Sequence, residues 1–201
     1  MEKGIQLITG PMFCGKTSEL IRRIRKEEVA RRTFQLFKIS FDKRYGEGIV
    51  SHDKDSIKCT SVIDTKELIE RLKKVDIIGI DEIQFFDDKI LDFCLGYSLE
   101  RLIIVTGLNL DFRGEPFKFR NSKKHIGELM PYSQVTSLSA VCTYSDNKKI
   151  CGRDAYFTQR FINGKPAEYH SPLVLVGGKE KYEARCEMHF QRPEKTDKLK
   201  F

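Results

Sequence analysis

The chain has no apolar run approaching the roughly 18 residues that suggest a membrane span. Met1-Glu2-Lys3-Gly4 leads into an apolar stretch only a few residues long. The long apolar region and small-residue cleavage site of a secretory signal are missing. A cytoplasmic protein with no membrane partner is therefore expected. Single-sign charge blocks are also missing. Glu19 to Arg32 carries six Lys/Arg and three acids, and Lys179 to the C-terminus carries seven and five. Such mixed stretches read as solvated faces. There is no internal repeat and no low-complexity tract. With 40% hydrophobic and 32% charged residues in 201, disordered and fibrous classes are excluded. That length allows one or two domains with a real core.

The six cysteines are Cys14, Cys59, Cys94, Cys142, Cys151 and Cys186. A cytoplasmic setting argues against a disulfide framework. Cys59 and Cys94 lie in apolar surroundings and read as core thiols. The net charge of +7 favours phosphate-bearing ligands, weakly, because it is spread along the chain.

Apolar stretches alternate with helical patterns over the first two thirds. Strands are expected at Gly4 to Thr9, Gln35 to Ile39, Val75 to Ile80 and Leu102 to Thr106. Helices are expected at Thr17 to Arg32, Thr65 to Lys73 and Lys89 to Ser98. Leu20, Ile21 and Ile24 form the apolar face of the first helix. Leu68, Ile69 and Leu72 form that of the second, with Asp64 as its cap. Ser40 to Ser56 is polar and reads as a mobile loop. Strands rich in Ile and Val, separated by helices, predict a parallel sheet covered on both faces. Near Ser139 the pattern changes to turn residues, cysteines and short strand-like runs such as Leu173 to Val176. The expected domains are 1–139 and 140–201, the second ending in a basic tail.

Gly10-Pro11-Met12-Phe13-Cys14-Gly15-Lys16-Thr17 matches G-x-x-x-x-G-K-[ST]. The glycines let the backbone wrap phosphate oxygens, and the N–H groups opening the next helix add positive potential. Lys16 can reach the β- and γ-phosphates, and the Thr17 hydroxyl can bind Mg²⁺. The motif follows an expected strand and opens an expected helix, as its mechanics require. Cys14 inside it reads as a small filler. Ile77-Ile78-Gly79-Ile80 then runs into Asp81-Glu82. Ligands of open parallel sheets bind beyond the carboxyl ends of strands. Side-chain alternation predicts different directions for these two acids, one toward the metal and one accepting a proton. Two acids opening a solvent turn is the plain alternative. These features indicate a phosphotransferase or NTPase without separating a small-molecule kinase from an ATP-driven motor.

Three more stretches narrow the choice. They are Asp81-Glu82-Ile83-Gln84-Phe85-Phe86, Gly107 to Phe117 (GLNLDFRGEPF) and Val176 to Cys186 (VGGKEKYEARC). With the phosphate loop, and in this order, they resemble the type II, cellular-type thymidine kinases. The resemblance covers Gly4 to about Phe190. It implies a P-loop NTPase-like α/β domain followed by a small zinc-ribbon domain with a lid loop. It implies transfer of the ATP γ-phosphate to the thymidine 5′-hydroxyl, with Glu82 as general base. Gln84 matches a position beside the nucleotide, and Asp42 and Arg44 match a D-x-R-Y pattern near the transferring phosphate. The family holds thymine largely by main-chain hydrogen bonds from a loop. The matching residues are Thr158, Leu173, Leu175, Gly177 and Tyr182. Met12, Leu108 and Phe112 match apolar or stacking contacts to the base. From the residues alone, Phe112 reads equally as core packing. A homotetramer and feedback by thymidine triphosphate are implied at the same level. Asn109 stands where the family usually has Asp, and Cys14 where it usually has Ser.

The family's small domain binds structural zinc through two C-x-x-C pairs, and this chain has none. Eight residues, Thr143 to Ile150, separate Cys142 from Cys151, and Cys186-Glu187-Met188-His189 ends in histidine. Cys₃His is a normal tetrahedral zinc set. Spacing alone leaves three unrelated thiols and a surface histidine open; the resemblance implies zinc. His52, His125 and His170 lack ligand spacing and read as surface or loop residues. The alternative function is a zinc-containing P-loop ATPase acting on nucleic acid. Against it, the chain lacks a second motor domain and a long basic stripe, so no nucleic-acid partner is expected. A catalytically dead nucleotide binder is disfavoured because Lys16, Thr17 and Glu82 are all present.

Overall fold

The computed structural model describes residues 2–40, 49–50, 56–146, 149–173 and 180–195. The chain divides into two compact units. The first comprises residues 1–9, 15–109 and 117–138; the second comprises 10–14, 110–116 and 139–201.

In the first unit the elements are β1 (Gly4–Thr9), α1 (Lys16–Val29), β2 (Phe34–Ile39), a short pair β3 (Ile49–Val50) and β4 (Ser56–Ile57), β5 (Thr60–Val62), α2 (Thr65–Arg71), β6 (Ile77–Asp81), α3 (Lys89–Tyr97), β7 (Leu102–Gly107) and β8 (Ser133–Ser137). Six strands form one sheet in the order β5-β2-β6-β7-β1-β8. Every pair in it is parallel.

Alternation along the strands builds two cores, one per face. Leu7, Ile78, Ile80, Ile103 and Val105 join Leu68, Ile90 and Phe93 on one face. Ile8, Ile77, Leu102 and Ile104 join Leu20, Ile21 and Ile24 of α1 on the other. This is why β6 and β7 read as unbroken apolar runs: both faces are covered. Asp64 caps α2, its carboxylate accepting from Glu67 N at 2.8 Å. Cys59 and Cys94 are buried, as expected of core thiols.

Two helices differ from expectation. Helix α1 stops at Val29, and Arg31 turns the chain with φ of 58°. In α2, Leu68 is buried but Ile69 is 46% exposed. A helix of seven residues has one inward stripe, and Ile69 is a 100° step away from Leu68. Strands β5 and β8 went unread. Each is an edge strand, and Ser133–Ser137 is mostly polar, without the apolar signal of a buried strand.

The second unit holds β9 (Ala140–Val141), β10 (Ser145–Asp146), β11 (Lys149–Ile150), β12 (Asp154–Ala155), β13 (Phe157–Ile162), β14 (Lys165–Pro166) and β15 (Glu180–Arg185). Strand β13 lies between β14 and β15 in an antiparallel sheet. Asn163 and Gly164, both at positive φ, make the two-residue turn from β13 to β14. The core here is small: Ala140, Cys142, Ala155, Ala184 and Cys186.

Strand β6 carries a test of packing. A Cβ on Gly79 would sit 2.0 Å from Leu36 Cδ2, and Leu36 is itself fully packed. Gly79→Ala should cost roughly 1–3 kcal/mol, the usual range for overpacking. The shift in urea midpoint measures it.

Candidate active site and metal centre

The phosphate-loop motif runs from the end of β1 to the first turn of α1. Gly10, Phe13 and Gly15 all have positive φ, at 151°, 67° and 82°. At Gly15 a side chain would meet nothing within 4 Å, so the demand for glycine is one of backbone conformation. Gly15 O accepts from Glu19 N at 2.9 Å, which starts the helix. Lys16, 6% exposed, opens α1.

Beside it, Asp81 ends β6. The Thr17 hydroxyl reaches its two oxygens at 3.2 and 3.3 Å. The Thr106 hydroxyl donates to Asp81 Oδ1 at 2.5 Å and accepts from Glu82 N at 3.2 Å. Glu82 does not continue the strand; its φ of 53° and ψ of 47° are left-handed, an uncommon state for glutamate. Strand alternation therefore does not separate the two acids. The chain turn does: Asp81 faces Thr17 and Thr106, while Glu82 Oε2 accepts from Gln84 Nε2. Gln84 Oε1 in turn accepts from Leu108 N at 3.1 Å. Burial pushes the Asp81 carboxyl up, against the hydroxyls of Thr106 and Thr17 and the charge of Lys16. Burial, then the charge of Asp81, pushes Glu82 up as well, with Lys16 and Gln84 opposing.

In the second unit, Met12 N donates to Thr158 Oγ1 at 3.0 Å. Phe112 is 5% exposed. The Arg160 guanidinium carbon lies 5.1 Å from the Phe112 ring centre and 5.9 Å from that of Tyr182.

The same unit gathers Cys142, Cys151, Cys186 and His189, whose ligand atoms all lie within 4.8 Å of one another. His189 Nδ1 is 3.7 Å from Cys142 Sγ and 3.4 Å from Cys186 Sγ, and Cys151 Sγ is 3.9 Å from Cys186 Sγ. A tetrahedron with Zn–S of about 2.3 Å and Zn–N of about 2.0 Å has edges of roughly 3.5–3.8 Å. The cluster fits zinc. Within the eight-residue gap, β10 pairs antiparallel with β11, and Cys151 N donates to Tyr144 O at 2.8 Å. At Cys142 burial opposes ionisation, but the N–H groups of Cys186 and Tyr144 and the His189 side chain outweigh it, lowering the pKa to about 6. Tyr144 stacks on the His189 ring at 4.0 Å.

The model of the family described as thymidine kinase matches residues 3–190. The chain belongs to the thymidine kinase family. Among solved structures, the Legionella pneumophila ATPase DotB is similar at 17% identity and a TM-score of 0.35. That likeness covers 57% of this chain and 32% of DotB's, so this chain spans about a third of DotB's length. It bears on nothing further here. Among the described residues no helix is long and apolar enough to cross a membrane.

The residues expected from the thymidine kinase resemblance fall into groups. Lys16, Thr17, Asp81, Glu82 and Gln84 come together in the first unit, where Leu108 is also buried and tied to Gln84. Met12, Phe112, Thr158 and Tyr182 belong to the second. Pro11 is buried, Phe13 is exposed, and Cys14 packs against the small cysteine-lined core. Leu173 is partly buried. Asp42, Arg44, Leu175, Gly177 and His52 lie outside the described residues, as does most of the loop from Ser40 to Ser56. Val174 to Val176, the rest of the expected short strand run, lie outside them too. His170 is exposed and His125 caps a short 3₁₀ segment. Asn109 Oδ1 is buried without a hydrogen-bond partner among the described residues. Sequence reading missed Thr106; its signal was a hydroxyl closing the apolar run Leu102 to Val105.

The metal centre has a direct test. Purified, tag-free protein should carry one zinc per chain by elemental analysis. Cys186→Ser should lose the metal and lower the thermal midpoint, because a core of alanines and thiols leaves much of the folding energy to ligation.

Proposed function

We propose that this chain is an ATP:thymidine 5′-phosphotransferase. The observation that carries the reading, within a thymidine kinase family chain, is the carboxylate pair at the end of β6. One acid accepts from Thr17 of the phosphate loop and the other from Gln84. The proposed division is a kinase domain, 1–139, and a zinc-binding lid domain, 140–201. In this reading the protein is a cytoplasmic homotetramer inhibited by thymidine triphosphate, as the family resemblance implies.

Lys16 and the N–H groups that open α1 hold the β- and γ-phosphates, with Gly10 to Gly15 wrapped around them. Asp42 and Arg44 are assigned to the transferring phosphate. The Thr17 hydroxyl and the Asp81 carboxylate, 3.2 Å apart, offer the hard oxygen donors that Mg²⁺ prefers and would hold it. When bound, the ion neutralises charge on the phosphates. Glu82 accepts the proton of the 5′-hydroxyl, a poor nucleophile near neutral pH. Its raised pKa makes it a stronger base than an ordinary carboxylate. Gln84 steadies that carboxylate.

Phe112, Met12 and Leu108 give the base its apolar and stacking contacts, and Thr158 and Tyr182 border it. Main-chain groups of Leu173, Leu175 and Gly177 would read the edge of thymine. The 4-amino group of cytosine places a donor where thymine has an acceptor, so deoxycytidine is disfavoured. Cys142, Cys151, Cys186 and His189 would hold zinc with four protein ligands, leaving it structural.

ATP turnover that depends on thymidine, and not on DNA, supports this reading; the reverse supports the nucleic-acid ATPase. Glu82→Gln should lower kcat by roughly 10²–10⁴-fold with ATP and thymidine binding retained. Near-wild-type kcat would refute the assignment.

The pH dependence has a definite sign. Glu82 acts deprotonated, and its folded pKa is raised. The acid limb of the wild-type rate should lie above the ordinary carboxylate value of 4.5. The raised pKa also means that Glu82 contributes stability below its unfolded pKa and loses it as pH rises through the folded one. At pH 7 Glu82→Gln should therefore melt no lower than the wild type. A lower midpoint, or an acid limb at the ordinary value, would contradict this account.

A further inference from the structure

Two guanidinium groups lie against the Phe112 ring. The Arg113 guanidinium carbon is 4.5 Å from its ring centre, and that of Arg160 is 5.1 Å. Both arginines also reach the same irregular stretch of backbone. Arg113 Nε donates to Tyr169 O at 2.7 Å and Nη2 to Ser171 O at 2.8 Å. Arg160 Nη1 donates to Pro172 O at 2.5 Å. Three carbonyls in four residues are thus taken by two side chains. This stretch belongs to no strand or helix, so its carbonyls depend on such donors.

Arg113 is anchored from behind. Arg113 Nη1 pairs with Asp111 Oδ2 at 2.8 Å, and Asp111 is itself buried. Asp111 Oδ1 accepts from Arg113 N at 2.8 Å, closing the turn that carries Phe112. Tyr169 returns a hydrogen bond from its hydroxyl to Glu115 Oε1 at 2.7 Å. Arg160 comes from β13 and is fully buried, so its side chain has little room to move. The planar fork suits this double duty, since its face meets an aromatic ring while its edge donates to carbonyls.

We propose that Arg113 and Arg160 are positioning residues that set recognition of the nucleoside base. They bind the Phe112 ring and the Tyr169–Pro172 backbone into one frame. The inference rests on the reading above, in which Phe112 stacks on the base and Leu173, next along the chain, reads its edge. A base read by main-chain groups is discriminated only as well as that backbone is held. Neither arginine touches a reacting atom, so the effect falls on nucleoside binding and selectivity, and phosphoryl transfer is spared.

Arg113→Lys and Arg160→Lys test this. Lysine keeps the charge but loses the flat face at both positions and, at Arg113, the paired donors to Tyr169 O and Ser171 O. Thymidine-dependent turnover of the wild type is measured first; its absence would overturn both the functional reading and the inference. With the wild type active, each variant should raise thymidine KM by roughly tenfold, the scale of a lost charge-assisted hydrogen bond. Preference for thymidine over deoxycytidine in kcat/KM should fall by a similar factor. ATP KM and kcat at saturating thymidine should stay within about twofold, the pattern of lost uniform binding. Zinc content should remain that of the wild type. Unchanged thymidine KM and selectivity would overturn the inference alone. So would a joint loss of kcat, ATP affinity and zinc, which marks a merely structural role. Arg113 has a less enclosed side chain, 17% exposed, and carries the test if Arg160→Lys does not fold.

Discussion

A single buried carboxylate ties the first unit together at its working end. Asp81 closes β6, receives the hydroxyl of Thr17 from α1 and receives that of Thr106 from β7. An unpaired charge there would be strongly destabilising, so burial of Asp81 demands both partners. Their hydroxyls in turn fix where α1 begins relative to β6, and where β7 ends. The backbone reversal at Glu82 starts one residue later, with its N–H on Thr106. The placement of the proposed base thus follows from how the preceding acid is satisfied.

The second unit solves a different problem. It has few large apolar residues in its core, so side chains with two functions do the work. Tyr144 packs flat on His189 and keeps that ring beside the three thiols, with the Arg185 guanidinium 5.7 Å from the centre of the tyrosine ring. Arg113 and Arg160 each serve an aromatic ring and a carbonyl row. Where hydrophobic area is scarce, planar groups that stack and donate at once can supply order without bulk.

Much of this was legible in the residues. The phosphate loop declared itself through spacing and through its place between an apolar strand and an amphipathic helix. Strands β6 and β7 declared themselves because burial on both faces removes polar residues from the pattern. The edge strands β5 and β8 were silent, since one row of unpaired backbone leaves their composition free to be polar. Ile69 misled because a two-turn helix has too few residues to define its stripe. The turn at Glu82 was invisible: a left-handed glutamate has no sequence mark, and the environment imposes it. Asn163-Gly164 was a readable hairpin signal that passed unread. The pairing of β10 with β11 left no mark in the sequence, because its ladder is two residue pairs long.

The order of strands in the sheet also sets a timetable. Strand β1 is made well before its neighbours in the sheet, β7 and β8. Ile5 waits for Ile103 on one side and Ser133 on the other. At roughly 5–20 residues per second, a ribosome takes several seconds to a good part of half a minute to supply both. Until β7 is made, Ile5, Leu7 and Ile8 have no sheet to enter. The phosphate loop, whose shape depends on a fixed β1, is therefore set long after it is translated.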